Sequence, residues 1–333
     1  MSQQNTSGPR VFTITLNPAI DQTVRLDTLV PGATHRALGQ QVEAGGKGVG
    51  VAAVLAALGQ PVTAAGWLGA DNDAVFVAAF AERGIADAMV RIAGSTRTNI
   101  KLADAGRGDS TDINLPGLAL DCAAQAEALG ALQRTLASQV RYGDWCELAG
   151  SLPPGASVAT WEKLARALAE LGAHIVIDTG GAVLLQLLLR LSDPDAGAVV
   201  PVALVKPNRA ELEELVGHAL PTPASVADAA GTLCRRYGVR QVVVSLGGEG
   251  AIIATPDGRW QAAAPRVPVA TTVGAGDALV AGTLAALVRG DTFPGAAVFG
   301  MACAAARIQR IAPGLPPRAE VDALAAGIQS RPL

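Results

Sequence analysis

The segment Thr272-Val273-Gly274-Ala275-Gly276-Asp277 stands directly before an apolar run of helical period. Small residues let the main chain approach an anion closely. The free N–H groups of a helix start then point at that anion with the helix dipole behind them. Asp277, in the first turn, sits beside whatever those amides hold. An ordinary helix start, with Asp favoured there by the macrodipole, uses the same residues. Gly45-Gly46-Lys47-Gly48 opens a second helix. It is not a Walker A loop, because Lys47 is followed by Gly48 instead of Ser or Thr and the upstream glycine spacing is wrong. It is a turn carrying a cation, suited to a polar or phosphorylated ligand, and a plain glycine turn also accounts for it. Two glycine-rich helix starts together suggest two anion sites, and hence two phosphorylated ligands.

Three further segments carry polar groups at the ends of expected strands. Ser245-Leu246-Gly247-Gly248-Glu249-Gly250 suits a tight turn over a flat group such as a base or ribose, or a plain hairpin turn before Ala251. In Lys206-Pro207-Asn208-Arg209-Ala210-Glu211, the Asn208–Glu211 spacing is that of a capping box. The same amide and carboxylate can hold Mg²⁺ through its waters, several of which Mg²⁺ retains. Arg97-Thr98-Asn99-Ile100-Lys101 lies in an expected strand, so Arg97, Asn99 and Lys101 point to one face. That face is either a solvated surface or a phosphate clamp.

The elements that must position these groups follow a regular rhythm. Strands are expected at Val11–Leu16, Val62–Ala65, Trp145–Ala149, His174–Ile177, Leu204–Lys206 and Gln241–Ser245. Helices are expected at Gly48–Leu58, Asp73–Arg83, Ala124–Ser138, Val158–Leu171, Ala210–Val216, Ser225–Arg236, Ala278–Arg289 and Ala296–Ile308. The alternation predicts an α/β fold with a mostly parallel sheet covered by helices on both faces. Ligands bind such sheets beyond the carboxyl ends of the strands. The unusual residues fall there, after Leu16, Ala149, Ile177, Lys206 and Ser245. Two polar-interrupted stretches, 21–41 and 92–115, break the rhythm and read as extra strands outside the main sheet, forming a small lid. Residues 1–10 read as a flexible tail, and 11–333 as one domain. Pro153–Pro154, Pro221–Pro223 and Pro313–Pro317 read as loops.

Composition bounds the function. The chain has 333 residues, 50% of them hydrophobic and 17% charged, with 26 Lys+Arg against 29 Asp+Glu for a net charge of −3. That supplies a large core and excludes disorder for most of the chain. The weak acidity argues against nucleic-acid binding. No uncharged apolar run of membrane-spanning length appears, and the N-terminus lacks a signal-peptide core. Cys122, Cys146, Cys234 and Cys303 are scattered, as are the three histidines, so neither a disulfide framework nor a zinc site is expected. Cys146 and Cys303 read as core residues, and a cytoplasmic location is expected. A Rossmann dehydrogenase is excluded, since the first strand runs into Asn17-Pro18 and not into GxGxxG.

Taken in order, these segments resemble the ribokinase-like sugar kinases of the phosphofructokinase B group, from Val11 onward. The resemblance rests on Thr15-Leu16-Asn17-Pro18-Ala19-Ile20-Asp21, Gly45–Gly48, Gly150-Ser151-Leu152-Pro153, Val205–Asn208 with Glu211, Ser245-Leu246-Gly247, and Thr272–Asp277. Arg97–Leu102 and Asp112-Ile113-Asn114 are most similar to the group's 1-phosphofructokinase branch. The resemblance implies an ATP- and Mg²⁺-dependent kinase acting on a ketose phosphate, most simply fructose 1-phosphate. Tagatose 6-phosphate and fructose 6-phosphate kinases are the neighbouring readings, and a non-catalytic sugar-phosphate-binding protein is a more remote one. It implies Asp277 as the base and Gly274, Ala275 and Gly276 as the phosphoryl-holding amides. Asp21, Gly45, Gly46 and Ser151 would meet the sugar, with Lys47, Arg97 and Lys101 at its phosphate end. Lys206, Asn208, Ser245, Gly247 and Gly250 would meet ATP, with Glu211 near Mg²⁺. The helix dipole is expected to keep Asp277 ionised, and a homodimer through the lid is plausible for the group. The group usually carries Asn where this chain has Gly50.

Overall fold

Val-Phe-Thr-Ile-Thr of β1 (Val11–Thr15) is buried at every position. A strand without a solvent face belongs inside a sheet covered on both sides. The computed structural model, which describes residues 8–310 and 314–333, has that arrangement. The first seven residues of the expected tail and Pro313 lie outside the described residues.

After β1 come β2 (Ala19–Leu26), β3 (Gly39–Gly45), α1 (Lys47–Ala57), β4 (Val62–Gly69), α2 (Ala74–Arg83) and β5 (Ala86–Ile92). Then follow β6 (Thr98–Asp104), β7 (Asp109–Ile113), α3 (Cys122–Gln139), β8 (Trp145–Ala149), α4 (Val158–Glu170), β9 (His174–Asp178) and α5 (Gly181–Ser192). The chain continues through β10 (Val202–Val205), α6 (Arg209–Val216), α7 (Pro223–Tyr237), β11 (Val242–Ser245), β12 (Ala251–Ala254) and β13 (Arg259–Ala262). It ends with α8 (Ala275–Val288), α9 (Phe293–Ile308), α10 (Arg318–Gly327) and β14 (Ser330–Pro332).

Ten strands form one sheet in the order β14-β13-β12-β11-β10-β9-β8-β1-β4-β5. Pairing is parallel from β11 to β5, while β12, β13 and β14 extend the β11 edge in antiparallel fashion. Helices α3–α7 cover one face and α1, α2, α8, α9 and α10 the other, each over its own apolar cluster. Strands β3-β2-β6-β7 form a separate four-stranded sheet from the two stretches that break the sequence rhythm. The expected strands and helices are all present. α5, α10, β5, β13 and β14 come in addition, and β12 (Ala251–Ala254) follows the hairpin alternative; α5 shows a helical stripe in Leu184, Leu187, Leu188 and Leu191, all buried.

Two features aim this framework at one place. From β1 the chain crosses to β4 on one side, while β8 lies on the other. That reversal of strand order opens a crevice at the carboxyl ends of β1 and β8. On the helical side, α8 and α9 pack closely because Gly282 faces Gly300. A Cβ on Gly282 would come 2.8 Å from the Gly300 Cα. The close pair sets the start of α8 and the end of α9 side by side.

Candidate active site

The segment expected to hold an anion begins at Gly274, the N-cap of α8, whose φ of +78° lies in the left-handed region that favours glycine. Ala275, Gly276 and Asp277 form the first turn. The Ala275 N–H donates to the Thr272 carbonyl at 3.3 Å, closing the turn. First-turn amides otherwise lack intrahelical acceptors, which leaves this end suited to an anion. From Ala278 to Ala286 the helix is buried throughout, so Asp277 stands where the core gives way to the cleft. It lines a cavity of about 100 Å³ together with Gly274, Gly50, Glu43 and Arg307.

Burial, then the neighbouring Asp178 carboxylate, push the Asp277 carboxyl up to about 7, against the opposing pull of Lys47, Lys206 and Arg307. This corrects the expectation that the helix dipole keeps Asp277 ionised. The dipole is a surface-scale effect, and here desolvation and a like charge outweigh it.

Strand register explains the charges around it. Ala149 of β8 pairs with Asp178 of β9, and Val205 of β10 pairs with Ile177. Asp178 and Lys206 therefore emerge side by side at the strand ends. Asp178 Oδ1 accepts from Lys47 Nζ at 3.1 Å, and Lys206 Nζ lies 3.5 Å from the same oxygen. Burial works to lower the Lys47 proton affinity, but Asp178 and then Glu211 and Asp277 hold it above the ordinary lysine value. Lys206 also flanks the cradle: a Cβ on Gly276 would lie 3.5 Å from its Nζ. Lys47, Lys206, Gly276 and Asp277, read separately in the sequence, thus meet around Asp178.

A second group gathers between the two sheets. Asn17 Nδ2 donates to Ser151 Oγ at 3.0 Å, joining the ends of β1 and β8. Asp21 Oδ1 accepts from Asn99 Nδ2 at 3.1 Å, and the Asp21 carboxylate packs on Gly45, where a Cβ would overlap it. Burial raises the Asp21 pKa, against the Asn99 hydrogen bond and the charges of Lys101 and Arg97. Arg97, Asn99 and Lys101 do share surroundings. Lys101 Nζ faces Asp112 at 3.9 Å. The Arg97 guanidinium donates to the carbonyls of Asn17, Leu115 and Pro18 at 3.0, 2.8 and 3.3 Å, tying β6 to the end of β1. Gly46, at φ +111°, packs closely on Pro18 and joins the two groups.

A third group lies at the ends of β10 and β11. Asn208 and Ser245 form a parallel bridge. The capping box is present: Asn208 Oδ1 accepts from the Glu211 N–H, and Glu211 Oε2 accepts from the Asn208 N–H, each at 2.8 Å. Gly247 starts the short turn between β11 and β12, the hairpin reading of that motif. Gly250, at φ +107°, is needed because a Cβ there would strike the Ala262 carbonyl.

Three participants go unmentioned among the sequence candidates. Asp178 closes the buried run His-Ile-Val-Ile-Asp, a carboxylate at a strand's carboxyl end that the sequence does display. Glu147 is a lone acid inside the buried strand Trp-Cys-Glu-Leu-Ala. It is 0% exposed, and neither carboxyl oxygen has a hydrogen-bond partner. Burial, followed by Asp178 and Asp277, holds its pKa well above the ordinary glutamate value. Arg307, at the end of α9, has no sequence signal at all. Among the described residues there is no cluster of three or more metal-ligating side chains and no helix long and apolar enough to cross a membrane.

Residues 14–319 match the pfkB family of carbohydrate kinases. A 1-phosphofructokinase of Xanthomonas campestris pv. campestris is 46% identical over 282 residues, covering 84% of each chain. The structure of phosphofructokinase-2 from Escherichia coli in complex with substrates and products superposes with a TM-score of 0.84 at 27% identity, covering 96% of this chain and 99% of the other. Arabidopsis thaliana ribokinase, at 23% identity over 96% of this chain and 99% of that one, shares the fold with a TM-score of 0.72. With a ribokinase-like fold and a family match spanning nearly its whole length, the chain belongs to the pfkB family of carbohydrate kinases.

Proposed function

We propose that the protein transfers the terminal phosphoryl group of ATP to a ketose phosphate, converting fructose 1-phosphate to fructose 1,6-bisphosphate. The observation that carries this reading is the Asp277 carboxyl in the first turn of α8, lining a cavity with Gly274 and pushed up to about 7. A general base works best with a pKa near the operating pH. In this reading the sugar hydroxyl oxygen attacks the terminal phosphorus, the bond to the ADP oxygen breaks, and the hydroxyl proton passes to Asp277. The transition state is loose, so positioning and charge stabilisation supply most of the catalysis. The Gly274 and Gly276 amides, with that of Ala275 once it leaves the Thr272 carbonyl, meet the equatorial oxygens, the same logic as an oxyanion hole.

Asp21, Gly45, Gly46 and Ser151 serve the sugar, with Lys47, Arg97 and Lys101 toward its phosphate. Lys206, Asn208, Ser245, Gly247 and Gly250 serve ATP. Glu211 fits a water-mediated Mg²⁺ site, because the capping box engages Oε2 and leaves Oε1 for the ion's hydration shell, the mode Mg²⁺ favours. Bound there, Mg²⁺ supplies neutralisation of phosphate charge. The small sheet acts as a lid that keeps water from the phosphoryl group. Its exposed Val42 and Ile113, with Leu38 and Leu115 beside it, support a homodimer through that sheet.

The relative named 1-phosphofructokinase favours fructose 1-phosphate. The structural neighbour named phosphofructokinase-2 keeps fructose 6-phosphate as the second reading. ATP consumption measured side by side with fructose 1-phosphate, fructose 6-phosphate and tagatose 6-phosphate tests the choice. The highest kcat/KM is expected for fructose 1-phosphate, and a higher value for another sugar replaces that assignment. ATP turnover with none of them leaves the non-catalytic sugar-phosphate-binding reading.

A further inference from the structure

Arg307 sits at the end of α9 and reaches the cradle at the start of α8. Its backbone is pinned to the strand of chain that leads into the cradle, since the N–H groups of Ala270 and Thr271 both donate to the Ile308 carbonyl, at 2.8 and 3.1 Å. The side chain runs along Gly274, where a Cβ would come 3.2 Å from Arg307 Nε. Nη1 donates to the Arg310 carbonyl at 2.6 Å, which fixes the far end of the fork. Arg307 therefore flanks the cradle at Gly274, while Lys206 flanks it at Gly276. The cavity beside Asp277 is lined by both Gly274 and Arg307.

Both flanking cations have carboxylates nearby. Lys206 lies against Asp178, which also holds Lys47, so one carboxylate is shared by two ammonium groups. Burial disfavours the Arg307 charge, while Glu43 and Asp277 favour it. A phosphoryl group in flight spreads its charge over three equatorial oxygens. The amides of one helix start cannot surround all three. A planar guanidinium, rigidly held and rich in donors, suits the remaining side.

We propose that Arg307 is a further catalytic residue, whose guanidinium contacts the phosphoryl group in transit between ATP and the sugar hydroxyl. This rests on the reading of Asp277 as base and of the Gly274–Gly276 amides as phosphoryl cradle.

Arg307→Gln and Arg307→Lys test it by steady-state kinetics with ATP and the preferred ketose phosphate, alongside melting curves. For Arg307→Gln, kcat is expected to fall about 100-fold, as for loss of one oxyanion donor. Both KM values should stay within about threefold, the pattern of a contact made only in the transition state. Arg307→Lys should recover part of the loss, and it carries the test should the Gln variant fail to fold. A kcat within about twofold of wild type, or a loss confined to the sugar KM, overturns the proposal. So does an equal kcat loss in Glu43→Gln, which would make Arg307 a latch onto the small sheet. If the wild type prefers another ketose phosphate, only the sugar assignment falls, and the variants are measured with that sugar. If it turns over none, both readings fall.

Discussion

The Asp277 carboxylate rests on the backbone of Gly50. A Cβ at position 50 would overlap Oδ2 and lie 3.1 Å from Cγ. α1 and α8 thus meet at the cleft with no residue-50 side chain between them, and the acid fills that space. A larger side chain at position 50, such as the Asn that the family resemblance implies, does not fit beside Asp277 as it is oriented here. Gly50 is part of the setting of the proposed base.

Gly50→Ala puts this relationship to a direct test. Alanine is the better helix former by about 1 kcal/mol, so the fold should tolerate the change. The new methyl forces Asp277 into another rotamer, and kcat is expected to drop about tenfold or more, since small misplacements in a site are costly. Paired kinetics and melting curves read it. Unaltered kcat would mean that the carboxylate's orientation does not matter.

Asp277→Asn keeps the shape and removes the proton acceptor. Turnover should fall by roughly 10²–10⁴, the usual worth of a general base, with little change in sugar-phosphate affinity measured by calorimetry. Near-normal turnover removes Asp277 from the chemistry.

The pH profile should show an acid limb governed by Asp277. The base acts when ionised, so kcat/KM in the wild type should rise through about pH 7, the value to which burial and Asp178 push this group. Asp178→Asn deletes the like charge that disfavours ionisation, and the limb should move to lower pH. Titration of the sugar phosphate is common to both enzymes and cancels in the comparison. A limb that stays put, or moves upward, contradicts the coupling.

Glu147 links pH to stability. Its folded pKa is raised well above the ordinary value, so above about pH 4.3, the unperturbed glutamate value, the folded chain binds more protons than the unfolded one. Stability then declines as pH rises toward the folded pKa, by up to about 1.4 kcal/mol per pH unit for one group. Glu147→Gln removes the titration. Its melting temperature should overtake that of the wild type progressively as pH rises above about 5. Parallel melting curves across that range would show that Glu147 ionises no differently in the two states.

Arg97→Ala removes a cation next to Asp21 and three hydrogen bonds that tie β6 to Asn17, Pro18 and Leu115. The KM for the phosphorylated sugar should rise about tenfold or more, the size of a lost charge-assisted contact. The KM for ATP should change little. An unchanged sugar KM separates Arg97 from the phosphate.

Much of the framework was legible because its causes are local. The buried runs of β1 and β8, the helix start at Gly274 and the Asn208–Glu211 box are each decided within a few residues by hydrogen-bond geometry and side-chain period. The shared face of Arg97, Asn99 and Lys101 follows from strand alternation in the same way. β13 and β14 were not legible, since short antiparallel edge strands exist only by virtue of the partner they pair with.

The sequence alone determined the alternating fold, the glycine-rich helix starts and the acid that follows one of them. Tertiary structure alone decided that Gly50 lies under Asp277, that Asp178 gathers Lys47 and Lys206, and that Arg307 ends beside Gly274. It also decided the proton affinity of Asp277, which local reasoning from the helix dipole placed on the wrong side. The physical reason is that desolvation and charge–charge coupling are sums over every element that closes around a group. Here those elements come from α1, β9, β10, α8 and α9, and only the folded chain brings them together.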